Sequence, residues 1–127
     1  MILIDTSVWI EYFRGNSEYF GEVQSMLDHG MITTVEPVFA ELLYGARSKK
    51  DNLMLNSYWK VLPKIDFGAN DLLEAADFAN KLNFQQLGIG LMDALIIYST
   101  ISEGHLLWTL DKKINSNIDN QYIYQSS

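Results

Sequence analysis

Four carboxylates in this chain stand in apolar company. The opening "MILIDTSVWI" runs through four apolar residues to Asp5 and then two hydroxyls, and near the far end "LLWTLD" closes another apolar run on Asp111. Asp93 sits inside "GLMDALIIY" and Glu41 inside "PVFAELLYG". An unpaired carboxylate in apolar surroundings is costly, so Asp93 needs either a functional partner or a place in a first helical turn, where the dipole favours an acid. Asp5 or Asp111 alone reads as a turn or helix-capping aspartate. As a pair ending two apolar runs, they point to a site. Gly45 lies one turn beyond Glu41 on the same helix face. A glycine inside a helix costs roughly 1 kcal/mol relative to alanine, which close approach of a ligand or another helix would explain. The other reading is an exposed Glu41 with Gly45 beginning a C-cap.

Brought together, four carboxylates repel one another and some are forced to take protons. Hard oxygen ligands suit Mg²⁺ or Mn²⁺, ions that keep several waters and bind substrate phosphates. One or two such ions can activate water and stabilise the oxyanions of an in-line attack on a phosphodiester. The two histidines, His29 and His105, both read as turn residues, which argues against a metal-free histidine ribonuclease. A P-loop NTPase is excluded, because no Gly-x-x-x-x-Gly-Lys loop is present.

The elements that must position these acids follow from periodicity and punctuation. "MILI" is a buried strand. Thr6 or Ser7 caps a short helix through Arg14 that stops at Gly15. A second helix, about Ser17–Asp28, turns Phe20, Val23, Met26 and Leu27 to one side and ends at Gly30. "MITT" is a strand, and "EPVFAELLYGAR" a helix with Pro37 in its first turn. "NLMLNSYWK" continues helically, and "VLPKI" is a short edge strand stopped by Pro63. Asn70 or Asp71 caps a helix whose Leu72, Ala75, Ala76, Ala79 and Leu82 form a stripe. "LMDALIIYSTIS" is apolar nearly all round, a buried helix closed by Gly104. "HLLWTL" is a strand, "DKKI" a turn or short helix, and "YIY" a last strand. In "VWIEYF", Trp9 and Phe13 pack inward, the alternative being that Trp9 or Tyr12 anchors an interface. Strands alternating with helices imply parallel pairing by right-handed crossovers, an α/β sandwich with helices on both faces. Sites in such sheets lie beyond the carboxyl ends of the strands, where Asp5 and Asp111 fall.

With 127 residues, nearly half of them hydrophobic, the chain is expected to fold as one domain, residues 1–127, with a real core. No stretch of roughly eighteen apolar residues offers a membrane span, and no signal peptide is evident. The absence of cysteine fits a cytoplasmic location. A net charge of −7 argues against nucleic acid, unless carboxylates are metal ligands; two divalent cations would bring it to about −3.

With Asp5, Glu41, Asp93 and Asp111 in hand, the chain resembles the PIN-domain nucleases, and among them the VapC-type toxins of bacterial toxin–antitoxin pairs. "ILIDTSVWIEYF", "ELLYGAR", "MDALIIYSTISEG" and "LLWTLDKKI", in that order, carry the resemblance over essentially the whole chain. It implies a three-layer α/β/α sandwich around a mainly parallel five-stranded sheet, and a Mg²⁺- or Mn²⁺-dependent endoribonuclease. The same four acids carry over as the catalytic and metal cluster, Asp5 and Asp93 as the direct ligands, with Glu41 or Asp111 orienting the water. Ser7 and Thr109 match small polar positions beside the first and last acids, with a role in hydrogen-bonding the ligands. A transfer or ribosomal RNA substrate, a small antitoxin that inserts a segment near the site, and a homodimer are implied with it. Arg47, Lys49 and Lys50 follow the Glu41 helix, and Lys112 and Lys113 follow Asp111. Both groups are expected to border the pocket and hold RNA phosphates.

Two rival readings stand beside it. A small-phosphoester hydrolase using Asp5 as nucleophile would need another Asp two residues on, where the chain has Ser7. A non-catalytic α/β module would use the acids only to hold a structural cation or to meet a basic partner.

Overall fold

The apolar run at the start of the chain becomes an interior strand. In the structure, a computed structural model that describes residues 1–126, β1 (Ile2–Ile4) lies between β2 (Ile32–Val35) and β4 (Leu106–Trp108), with β3 (Lys64–Ile65) outside β2. All pairings are parallel: Ile2 stands opposite Ile32 and Leu106, Ile4 opposite Trp108, and Val35 opposite Ile65. Parallel neighbours require crossover connections. Helices α1 (Thr6–Phe13) and α2 (Ser17–Asp28) join β1 to β2, and α3 (Glu36–Tyr44) and α4 (Lys49–Val61) join β2 to β3. The chain returns to β4 through α5 (Asp71–Lys81) and α6 (Leu91–Ser102), and α7 (Lys112–Asn117) follows. The first two crossovers step one way and the third steps back across two strands. Right-handed connections therefore assign α1–α4 to one face of the sheet and α5–α6 to the other. The reversal of direction falls between β1 and β4, the switch point where open α/β sheets form their ligand crevice.

Local chemistry sets the boundaries. After α1 the chain turns at Gly15, whose φ of +73° few other residues adopt without strain. The side chain of Asn16 caps α2, accepting from the Glu18 N–H at 3.0 Å. Trp9 is fully buried and packs on Phe13, Phe39 and Tyr58 with ring centroids 5.5, 5.6 and 5.9 Å away. One indole thus ties α1 to α3 and α4. Trp9 and Tyr12 are core residues and do not anchor an interface. Trp9→Ala should cost about 3–5 kcal/mol, read as a lower urea midpoint with little change in slope.

The structure departs from the sequence-based expectations at several places. The sheet has four strands among the described residues, not five: at "YIY" only Ile123 bridges to Leu107, with the Tyr124 N–H on the Leu107 carbonyl at 2.8 Å. A 3-10 turn at Asn120–Tyr122 occupies the residues a fifth strand would need. Pro63 precedes β3 and does not stop it. Its carbonyl accepts from the Thr34 N–H at 3.0 Å and the Thr33 hydroxyl at 3.2 Å, a pairing that needs no proline N–H. On α5 only Ala75 of the stripe is fully buried, and Leu72 and Leu82 are nearly half exposed. Leu91 and Met92, in the first turn of α6, are likewise half exposed, whereas Ala94 to Ile97 are buried. Gly45 is the C-cap of α3, and a Cβ there would come no closer than 3.6 Å, to the Glu41 carbonyl. Helix termination accounts for this glycine, without close approach of a ligand. Among the described residues, no helix is long and apolar enough to cross a membrane.

Candidate active site

Asp5 is the first residue beyond β1, and its backbone is held from both sides. Its N–H donates to the Trp108 carbonyl at 2.9 Å, while its own carbonyl accepts from Val8 and Trp9 as α1 begins. It occupies the N-cap position of α1, where a carboxylate usually accepts from the free helix N–H groups. Here it makes no capping bond. Its Oδ2 instead accepts from the Ser7 hydroxyl at 2.9 Å and the Thr109 hydroxyl at 2.8 Å. Those hydroxyls are themselves fixed: Ser7 Oγ accepts from the Leu110 N–H at 3.0 Å, and Thr109 Oγ1 from the Asp111 N–H at 3.1 Å. Asp5 is 7% exposed, so its rotamer is set by this network and not by solvent.

Asp111 behaves differently. It is the N-cap of α7, and its Oδ1 accepts from the N–H groups of Lys113 at 2.8 Å and Ile114 at 3.4 Å. The ordinary capping role is therefore real for Asp111 and absent for Asp5, although each occupies an N-cap position beyond one of two paired strands, Asp5 directly after β1 and Asp111 three residues after β4.

Asp93 lies in the first turn of α6, half-buried, and Glu41 lies on α3 in a more exposed position. Both are pushed above the ordinary carboxylate range. For Asp93 the causes, in order, are burial, the Asp5 charge and the Asp111 charge, with Lys113 opposing. For Glu41 they are burial of its carboxyl, then Asp5, then Asp93. The helix dipole, which favours an ionised acid at the Asp93 position, is outweighed. At the carboxyl end of the sheet, the charges of Asp5 and Asp93 thus act on Glu41, and those of Asp5 and Asp111 on Asp93. Among the described residues, no three acids or histidines stand as a preformed metal cage, so holding an ion would require these side chains to draw together.

The donor chemistry nonetheless fits a hard divalent cation. All four acids offer carboxylate oxygens, and burial followed by repulsion from neighbouring acids opposes ionisation of Glu41 and Asp93. Thr6 adds a second observation. Its hydroxyl is buried without a hydrogen-bond partner, yet it faces Glu41 closely enough to offset part of that acid's upward shift. No bond of ordinary geometry joins the two, so we count the contact as weak. A buried polar atom left unpaired beside carboxylates is suited to a coordinated water or ion. The sequence reads Thr6 only as a helix cap, a position Asp5 occupies instead; its place directly after Asp5 is the signal for a role at the site.

The basic residues divide. Lys113 reaches the Gly88 carbonyl at 3.1 Å, on the loop entering α6, and is the cation that opposes the Asp93 shift. Lys112 is exposed on the same helix. Arg47, Lys49 and Lys50 are exposed around the start of α4, and none figures among the charges acting on Glu41. His29 and His105 lie outside the acid group, bonded to the Ser25 carbonyl and the Met1 amine.

The family model for the PIN domain matches residues 2–118. The chain belongs to the PIN domain family. Ribonuclease VapC11 of Mycobacterium tuberculosis is 36% identical over 69 residues, 52% of this chain and 52% of its own. VapC ribonuclease Mb1587 of Mycobacterium bovis matches to the same extent. The chain thus spans about half the length of the curated relatives it matches. Among solved structures, a chain of VapBC2 from Rickettsia felis, bound to a promoter DNA fragment, superposes with a TM-score of 0.77 at 24% identity over 100% of both chains. FitAcB from Neisseria gonorrhoeae gives 0.61 at 18% identity over 89% of both. At these identities the structural matches speak for the fold, a parallel α/β PIN architecture.

Proposed function

We propose that this PIN domain is a Mg²⁺- or Mn²⁺-dependent endoribonuclease and the toxin of a toxin–antitoxin pair. The observation that carries the reading is the convergence of acids from four segments at the switch point, where the charges of Asp5 and Asp93 act on Glu41 and those of Asp5 and Asp111 act on Asp93. Family membership and the likeness to VapC ribonucleases support the same chemistry.

Asp5 and Asp93 would hold the ion, with Glu41 and Asp111 beside them. Bound there, the ion supplies charge neutralisation for the scissile phosphate and a lowered pKa for water. The chain's own groups do the rest. Ser7 and Thr109 both donate to Oδ2 of Asp5, so Oδ1 is the oxygen left to meet a ligand. Asp111 spends one oxygen on capping α7, whereas Glu41 makes no capping bond and is the better proton acceptor because its pKa is raised. Glu41 therefore takes the proton from the attacking water. The water oxygen bonds to phosphorus, the P–O3′ bond breaks, and the 3′ oxygen leaves as an alkoxide that takes a proton from solvent, while Glu41 releases its own to solvent. Lys112 and Lys113, and more remotely Arg47, Lys49 and Lys50, hold phosphates on either side of the cut.

The partners belong to the same proposal. An apolar groove of about 490 Å³ between α3, α5 and α6 runs up to Glu41 and is lined by Pro37, Ala40, Tyr44, Leu72 and Met92. Tyr44 is 95% exposed. Such a surface suits a protein segment, and the antitoxin and a second copy of this chain are the partners we assign to the exposed apolar residues here.

The test is incubation of purified protein with structured transfer and ribosomal RNAs, with Mg²⁺ or Mn²⁺ and then with EDTA. Cleavage that EDTA abolishes is expected. Turnover of small phosphoesters but not RNA, or cation binding without any turnover, would overturn the reading in favour of a phosphatase or a binding module. Thr109→Val keeps the shape and removes one of the two donors to Asp5. We expect an activity loss of about 10- to 100-fold with an unchanged circular dichroism spectrum.

A further inference from the structure

A second cleft adjoins the acid site on the outer side of β4. Its volume is about 650 Å³, within the range of small-molecule pockets, and Thr109, the residue that binds Asp5, is part of its wall. Its floor is aromatic. Trp108 is buried, with the Tyr124 ring 5.1 Å and the Tyr19 ring 6.3 Å away, both tilted against it. The tyrosines are half-buried and line the cleft. Tyr124 is fixed by a hydrogen bond from its hydroxyl to Glu22, and Ser126 donates to the same carboxylate at 2.7 Å. The wall is otherwise polar, with Glu18 and the carboxamide of Asn120 among its groups. No lysine or arginine lines it among the described residues.

We propose that this cleft is a nucleobase subsite, taking one unstacked base of single-stranded RNA next to the phosphate held at the acids. Aromatic faces bind unstacked bases, and carboxamide or carboxylate groups read their edges. A cleft with a carboxylate and no cation disfavours a phosphate, so it selects the base and leaves the backbone to the lysines beyond Asp111. A polar, aromatic wall also sets it apart from the apolar groove beside Glu41. The subsite rests on the endoribonuclease reading and adds to it: sequence preference at the cut comes from the side of β4, not from the acids.

The experiment measures binding of fluorescein-labelled single-stranded RNA tetranucleotides to the full chain in EDTA by anisotropy, beside cleavage of the same RNAs with Mn²⁺. Tyr19→Ala should weaken binding about 5- to 100-fold, with the salt slope unchanged because no phosphate contact is lost. Tyr19→Phe should bind as wild type. Asn120→Ala, on an exposed turn, should shift which base is preferred while the fold stays intact. A tetranucleotide abasic at one position, tried at each in turn, should at one of them bind wild type as weakly as Tyr19→Ala binds the intact RNA. Equal binding of all these variants, no loss with any abasic probe, or displacement of RNA by an arginine-rich peptide that requires Tyr19, would overturn the subsite. Cleavage that persists unchanged in Tyr19→Ala overturns the subsite and leaves the nuclease reading standing. Tyr19-dependent binding without cleavage in Mn²⁺ does the reverse.

Discussion

Asp93→Asn is expected to lower RNA cleavage at least about 100-fold while leaving the melting temperature unchanged or higher. Most buried substitutions destabilise, so a variant that loses activity and gains stability would mark a site under strain. The sign follows from the surroundings of Asp93. Burial and the charges of Asp5 and Asp111 all oppose its ionisation, and Lys113 only partly offsets them. An amide keeps the shape and removes the charge, so repulsion falls in the protein without bound ions. The readouts are steady-state cleavage of a defined RNA and thermal unfolding in EDTA. Wild-type activity in this variant would remove Asp93 from the catalytic group. A large fall in melting temperature would mean that its role is structural.

Divalent cations should stabilise the wild-type protein strongly at neutral pH and weakly in acid. Saturation at about a hundred times the dissociation constant adds about 2.7 kcal/mol, on the order of 10 °C for a domain of this size. Without cations, stability should decline as pH rises. Asp93 and Glu41 have folded-state values above their ordinary 3.8 and 4.5, so the folded state binds more protons than the unfolded state between the ordinary and the raised values. The stability linked to these two acids is fully present below the ordinary values and is lost as pH climbs through the raised ones. Mn²⁺ should reverse that loss, and Asp93→Asn should blunt both the pH dependence and the cation response. Thermal scans across pH with EDTA or Mn²⁺ measure this. A melting temperature indifferent to Mn²⁺ at pH 7.5 would refute the cation site.

The sequence by itself determined most of the elements, though not the loss of a fifth strand at "YIY" or the side of Pro63 on which β3 lies. "MILI" and "LLWTLD" are strands because apolar runs this short, bounded by polar residues, bury only as sheet interior. That these two strands are neighbours was decided by the tertiary structure, in which Ile4 stands opposite Trp108. The inward packing of Trp9 was legible from its spacing to Phe13 on one helix face. What the sequence could not supply was the use each acid makes of its oxygens. Asp5 directly follows β1 and Asp111 lies three residues beyond β4, yet each occupies the N-cap position of the helix that comes next. Ser7 is a local partner, but only the tertiary arrangement brings the Thr109 hydroxyl, from just beyond β4, to the same oxygen of Asp5, while Asp111 keeps its cap. Hydrogen bonds between residues a hundred positions apart leave no periodic trace. The same holds for the exposed Leu72 and Leu82, since a helical stripe tells which residues share a face but not how much of that face the rest of the fold covers.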